Sequence, residues 1–459
     1  MLTRKIHRAS SFTPLLAGIM FALHLAPVQA KELSETTGLL DFITGGANTQ
    51  PGESLGIKWG GWINSSVSTN FNSSPDNYNG PVTFNDRSGE FQLNQFNLWI
   101  QKAVTTSGDN WDFGGRFDFM FGTDAIFTQA YGVPYTDPRT GLPLDRGHWD
   151  LHLLSHDNRF YGIALPQAYA EFNLPIGNGL NVKAGHFYTP IGYEVVTAPD
   201  NFFFSKPYTF QYGEPFTHTG ILGSYPIDDN WSVMAGAVTG SATGGWDGNW
   251  DRQLGNWSFL GGATWTSTDK AYSLALTSSA GNRSEQFDDA WAIYSLVGKA
   301  NFLDNTLHYV IQHDHGFADN VITANSLKRG PGQLDDARWY GINQYLMYDV
   351  QDDLAVGIRA EWWRDNNGFR VAGPGRCGAS TNLGPDGLPS SFACQGNYAS
   401  YPFAGSNYYE ITAGLNWKPT KWATVRPNLR YDWTDNIKVF DAGKRTTQLL
   451  FSTDVVITF

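Results

Sequence analysis

The segment YEITAGLNWKPTKWATVRPNLRYDW, residues 409–433, decides the fold class. Tyr409, Ile411, Ala413, Leu415 and Trp417 alternate with Glu410, Thr412 and Asn416. After the turn residues Pro419 to Lys421, Ala423, Val425, Pro427, Leu429, Tyr431 and Trp433 alternate with Thr424, Arg426, Asn428, Arg430 and Asp432. A period of two puts successive side chains on opposite faces of a strand. The segment therefore reads as a β-hairpin with one apolar and one charged face.

The same pattern recurs outward from it. Trp111, Phe113, Phe117, Phe119 and Phe121 oppose Asp112, Arg116 and Asp118. Leu449, Phe451, Val455, Ile457 and Phe459 oppose Gln448, Ser452, Asp454 and Thr458. About sixteen strands are predicted, from 56–70 to 447–459, with 271–280, 290–302, 306–316 and 338–349 among them. Connections after even strands are short, such as Asp304-Asn305. Those after odd strands are mostly long, such as Gly122 to Tyr161 and Asn366 to Ser406. An even strand number with alternating short turns and long loops is the pattern of a transmembrane antiparallel up-and-down β-barrel. Composition agrees: 15% aromatic residues and 50 glycines, with charge held to 16% against about 25% in an average soluble domain.

Residues 1–30 read as a signal peptide. Arg4, Lys5 and Arg8 precede an apolar stretch, and Val28-Gln29-Ala30 is a small-x-small cleavage site. Residues 31–55 are expected to form a short periplasmic segment, and 56–459 the barrel. Without those three basic residues, 28 Lys+Arg face 43 Asp+Glu, a net charge of −15. That balance argues against nucleic-acid binding. No later stretch has the roughly 20 apolar residues of a membrane helix. Cys377 and Cys394 flank a Gly/Pro/Ser-rich segment and are expected to close a loop disulfide.

A barrel of this size encloses an aqueous channel. Its charged face carries Arg116, Lys183, Arg359, Arg426 and Arg430 against Asp112, Asp118, Glu171, Glu361, Glu410 and Asp432. These are candidate pore-lining residues, since fixed charge sets ion preference in a pore; the alternative is plain ion pairing around a wet lumen. The third long loop, residues 189–214, is rich in aromatics. It contains Asp200, Phe202, Phe203, Phe204, Lys206, Tyr208 and Glu214, with His218 just beyond. Exposed, those rings would form a sticky patch. Folded inward they would narrow the pore; packing over the mouth or against a neighbouring subunit is the other possibility. Glu194, Glu214 and His218 could anchor that loop or act as acid and base. His313-Asp314-His315 reads as rim polarity or as a metal site. There is no P-loop, G-x-S-x-G or H-E-x-x-H motif, so neither an enzyme nor a cofactor is expected.

Several stretches resemble the OmpL-like family of β-barrel porins: residues 184–194 (AGHFYTPIGYE), 199–203 (PDNFF), 213–220 (GEPFTHTG), 341–346 (GINQYL) and 359–365 (RAEWWRD). The resemblance covers most of the chain after about residue 55. It implies an outer-membrane porin that passes small hydrophilic solutes or ions; a substrate-selective channel, for sugars for example, and a non-conducting adhesion barrel are the alternatives. In general porins the loop at the position of the third loop folds into the lumen. The expected partners are outer-membrane lipid and lipopolysaccharide, the barrel assembly machinery and, with a homotrimer in view, other copies of the chain. The terminal Phe459 resembles the sorting signal which that machinery reads.

Overall fold

The structure is a computed structural model that describes Leu39 and residues 55–72, 77–128, 161–239, 257–284, 287–323, 334–368, 370–371, 405–435, 437–441 and 443–459. The expected signal peptide, most of the segment before the barrel, and Cys377 and Cys394 lie outside the described residues.

Sixteen strands form one closed antiparallel barrel in chain order, with the first strand paired to the last. They are β1 (Ile57–Asn70), β2 (Phe91–Lys102), β3 (Asp112–Gly122), β4 (Gly162–Leu174), β5 (Leu180–Tyr188), β6 (Thr217–Pro226), β7 (Trp231–Thr239) and β8 (Trp257–Thr266). The second half comprises β9 (Tyr272–Ser284), β10 (Phe287–Phe302), β11 (Leu307–Thr323), β12 (Leu334–Gln351), β13 (Leu354–Asp365), β14 (Ser406–Thr420), β15 (Ala423–Thr434) and β16 (Thr447–Thr458). A four-residue helix, α1 (Ala125–Thr128), follows β3.

The strand count agrees with the sequence reading, but β9 to β12 run further toward the long loops than predicted. β11 reaches Thr323 instead of residue 316, and β12 starts at Leu334 instead of 338. Apolar alternation marks only the part of a strand that faces an apolar medium. Past an irregularity between Ala318 and Ile322 the ladder resumes, with Ile322 opposite Asp335 and Thr323 opposite Leu334, because backbone pairing does not need an apolar alternation.

Register settles which way each side chain points. Leu274, Leu346, Ile358, Leu415, Leu429 and Phe451 are exposed on the outer face. Such a continuous apolar belt is untenable in water and matches a lipid surround. Aromatics cap the belt at both ends. Trp231, Tyr272, Phe302 and Tyr348 lie near the short turns, with the Tyr272 and Phe302 rings 6.1 Å apart. Near the long loops, Tyr409 and Trp433 stack at 5.0 Å. Polar residues of the same strands such as Ser279, Asn343, Arg359, Glu410, Arg430 and Asp454 turn inward and are buried.

The closing seam is tight. Gly61 and Phe459 exchange two backbone hydrogen bonds of 3.0 Å, and a Cβ on Gly61 would fall 2.7 Å from the Phe459 ring. Gly61→Val is expected to destabilise the barrel by about 1–3 kcal/mol, as overpacking does elsewhere. A lowered urea midpoint for the heat-modifiable folded band would show it, and an unchanged midpoint would refute it.

Candidate functional site: the third loop and the lumenal wall

The third loop, between β5 and β6, lies inside the barrel. Irregular backbone can occupy such a space only if its N–H and C=O groups find partners. Here the wall supplies them. Around a ring of sixteen strands, β13 and β14 stand eight places from β5 and β6 and so face them directly. The loop crosses to that wall.

Strand register builds the receiving surface. Glu361, Glu410 and Asp432 pair across β13, β14 and β15 as one row, and Arg359, Thr412 and Arg430 form the next. A row of three carboxylates would repel itself, but the row of guanidinium groups lies against it. Arg359 Nε donates to Glu410 at 2.5 Å, and Arg430 Nη2 lies 2.8 Å from Asp432. Each charge then also holds the loop. The N–H groups of Tyr208 and Thr209 donate to Glu361, both at 2.6 Å, and start the π-helical turn Thr209–Gly213. Tyr208 Oη donates to Asp432 at 2.7 Å. Arg359 Nη1 donates to the Ser205 carbonyl and to Glu194, both at 2.7 Å. Arg430 donates to the Lys206 carbonyl.

Flanking strands complete the attachment. Arg426, paired with Asp454 of β16, donates to the carbonyls of Ala198 and Asn201, both at 2.7 Å. Gln95 of β2 accepts from the Ala198 N–H at 3.1 Å and donates to the Val196 carbonyl at 2.8 Å. Asn416 donates to the Phe202 carbonyl at 3.1 Å. Gln312 of β11 accepts from the Tyr193 N–H at 3.1 Å and donates to Glu214 at 2.5 Å. Lys206 stays within the loop, 3.2 Å from Glu194 and over the Phe210 ring. Burial pulls its ammonium down to about 8, with Glu194 opposing.

The aromatics fill what the polar contacts leave. Phe203 packs against Val297, Val310, Tyr345 and Met347. Tyr208 and Tyr212 join Trp291, Trp339, Trp363 and Tyr408. Phe210 and Phe216 meet Phe84 of the first long loop and Phe127 of α1. Beneath the loop, toward the short turns, lies a cavity of about 1090 Å³ lined by Tyr193, Asp200, Phe202, Lys299, His308 and Asn416 among others.

The candidate pore-lining residues fall into two groups. Arg359, Glu361, Glu410, Arg426, Arg430 and Asp432 are at most 4% exposed; they lie under the loop instead of facing open water. The other five stay on the β3–β5 side. Arg116 pairs with Asp118 at 2.6 Å, Glu171 stands opposite Lys183 in register, and Asp112 pairs with Lys102 at 3.0 Å near a short turn. Of the candidate loop residues, Asp200 is exposed and Phe202 half-buried at the cavity, and the rest are buried.

Glu194, Glu214 and His218 do not converge as one acid–base group. Glu194 takes Arg359 and Lys206, Glu214 takes Gln312, and His218 bonds Thr189 at 2.9 Å. In His313-Asp314-His315, Asp314 turns inward while the two histidines face out among the rim aromatics. His313 Nε2 accepts from Tyr294 Oη at 3.1 Å, and the His315 and Tyr340 rings are 5.6 Å apart. Among the described residues no three potential metal ligands cluster. Nothing in the local sequence singles out Gln312 or Phe84, and alternation puts Asn416 and Asp454 on the polar face without giving them a role. Gln95 is marked only by its place with Asn94 and Asn97, three amides close together in one strand.

The Pseudomonas putida protein OprB is 13% identical, with 93% of this chain and 99% of that one covered at a TM-score of 0.53. The outer membrane channel DcaP of Acinetobacter baumannii is 10% identical over 88% of this chain and 97% of that one, at a TM-score of 0.48. At 13% identity the likeness to OprB is one of fold alone. No curated protein matches the sequence. The family described as "Putative beta-barrel porin-2, OmpL-like" matches residues 56–459, the whole of the barrel, and the chain belongs to that outer-membrane porin family.

Proposed function

We propose that this porin is a passive pore for small hydrophilic solutes or ions, and that its third loop sets the width of the passage. The observation that carries this reading is the crossing of the loop from β5–β6 to the opposite wall, with its carbonyls held by Arg359, Arg426 and Arg430. A loop so fixed reduces the open section and gives the reduction a defined shape. The cavity beneath it, bounded by loop and short turns, serves as the periplasmic vestibule. Within the crossing, the cations Arg359, Arg426, Arg430 and Lys206 lie among Glu194, Glu361, Glu410, Asp432 and Asp454. Most of this charge is spent on positioning. Among the described residues, Arg116 and Lys183 on the β3–β5 side, with Asp200, Lys299, Asp353 and Lys418 at the vestibule, are among the charges a passing ion meets.

Two experiments test the reading. In planar bilayers, deletion of Asn201 to Tyr208 is expected to raise single-channel conductance; an unchanged value would place the loop outside the conducting path. Arg359→Ala removes one buried cationic donor from Glu194, from Glu410 and from the Ser205 carbonyl. Breaking one side of a buried ion pair typically costs about 3–5 kcal/mol. The variant is therefore expected to show faster protease cleavage within residues 198–213 and noisier conductance, in a barrel that still assembles. Equal protease resistance would mean that Arg359 is not an anchor.

A further inference from the structure

The loop ends in an attachment unlike the others. Glu214 and Asp314 are 1% and 0% exposed, and both accept from one amide group: Gln312 Nε2 lies 2.5 Å from Glu214 and 2.9 Å from Asp314. The second oxygen of each carboxyl, Glu214 Oε2 and Asp314 Oδ2, has no hydrogen-bond partner. Glu214 is pressed against Gly192, where a Cβ would fall 2.1 Å from Oε2. At every other carboxylate of the crossing a guanidinium or ammonium group stands close or several loop donors converge; here there is neither.

We infer that Glu214 and Asp314 form a proton-operated latch between the end of the third loop and β11. Two carboxylates side by side in a dry site cannot both carry charge, so the pair holds one proton between them. With the proton the two groups attract and the loop end stays on β11. Without it, two buried anions face each other and the loop end is driven off the wall. Burial, and after it Asp314, push Glu214 well above the usual carboxylate range. Its ordinary value returns once the loop is released. A group whose pKa is raised in the attached state strengthens attachment at low pH and loses that effect as pH rises through the raised value. The latch is closed in acid and opens in alkali.

From β10, Ser295 Oγ accepts from Gln312 at 3.3 Å, and its hydroxyl also interacts with Asp314. On β11, His313 and His315 point outward. From β12, Trp339 Nε1 donates to the Gly213 carbonyl at 3.3 Å, and from β13, Trp363 lies against Gly213. Arg370 bonds the Tyr212 carbonyl at 2.6 Å and covers Trp339. Within the loop, Glu194 is taken by Arg359 and Lys206. Lys206, with its value near 8, is the rival titrating group.

The electrical readout of the test rests on the pore reading, and amide exchange reads the latch independently of it. The folded protein is compared with Glu214→Gln and Asp314→Asn between about pH 5 and about pH 9, a span centred above the ordinary carboxylate range. Heat-modifiability confirms folding of each variant. The wild type is expected to gain conductance toward alkali, and its Tyr212–Thr217 amides to exchange faster there than those of Glu214→Gln at the same pH. Both variants are expected to lose the pH response, since an amide keeps the hydrogen bond without the second charge. A response that survives in both variants and vanishes in Lys206→Met would assign it to Lys206 and overturn the latch, as would amide exchange identical in wild type and Glu214→Gln at every pH. A folded protein that never conducts yet shows the exchange difference would refute the pore and leave the latch standing.

Discussion

The arrangement inside this barrel depends on one requirement: backbone polar groups removed from water must be hydrogen-bonded. Strands meet it with their neighbours, and barrel closure leaves no edge. The third loop has no such neighbour, and a wall of apolar side chains could not hold it. The wall that faces it instead carries arginines, amides and carboxylates at the register positions where loop carbonyls and N–H groups arrive. Arg359, Arg426 and Arg430 suit this role because a guanidinium can satisfy a wall carboxylate with one edge and a loop carbonyl with another. The ion pairs and the loop attachment therefore share the same side chains.

The charge of the crossing follows from the same requirement. A row of three acids on adjacent strands would be unfavourable alone. Glu361 offsets it by receiving the N–H groups that begin the π-helical turn, and Glu410 and Asp432 by lying against Arg359 and Arg430. Glu214 and Asp314 have only an amide between them, so protonation replaces the missing cation. The aromatic residues supply the apolar part. Phe203, Tyr208, Tyr212 and Phe210 bury surface that would adhere to solutes or to other chains if left in the open.

Much of the fold was legible in the sequence because lipid contact writes a local signal. Phe117, Leu415 and Leu429 mark their strands with period two, and short turns alternate with long loops through the whole chain. Where β11 and β12 rise above the lipid belt that signal stops although the ladder does not, and their upper ends were missed. The inward loop was legible as an excess of aromatics. Its attachment was not, because Tyr208 meets Glu361 across 153 residues of sequence, and no local pattern reports which lumenal residue lies opposite which loop carbonyl. The six buried charges were read as facing water for the same reason: alternation gives the face of a strand but not what covers it. The amides of β2 were passed over because Asn and Gln carry no charge to attract notice.

The central claim, that the third loop spans the lumen to the far wall, can be tested by covalent capture. Thr209 Oγ1 lies 3.0 Å from Asn343 Oδ1, between the loop and β12. In a background with Cys377→Ser and Cys394→Ser, Thr209→Cys combined with Asn343→Cys should be joined in intact outer membranes by mild oxidation or a short bifunctional thiol reagent. The account predicts near-complete bridging in a normally assembled barrel. A folded barrel in which the two thiols stay separate would place the loop elsewhere and contradict it.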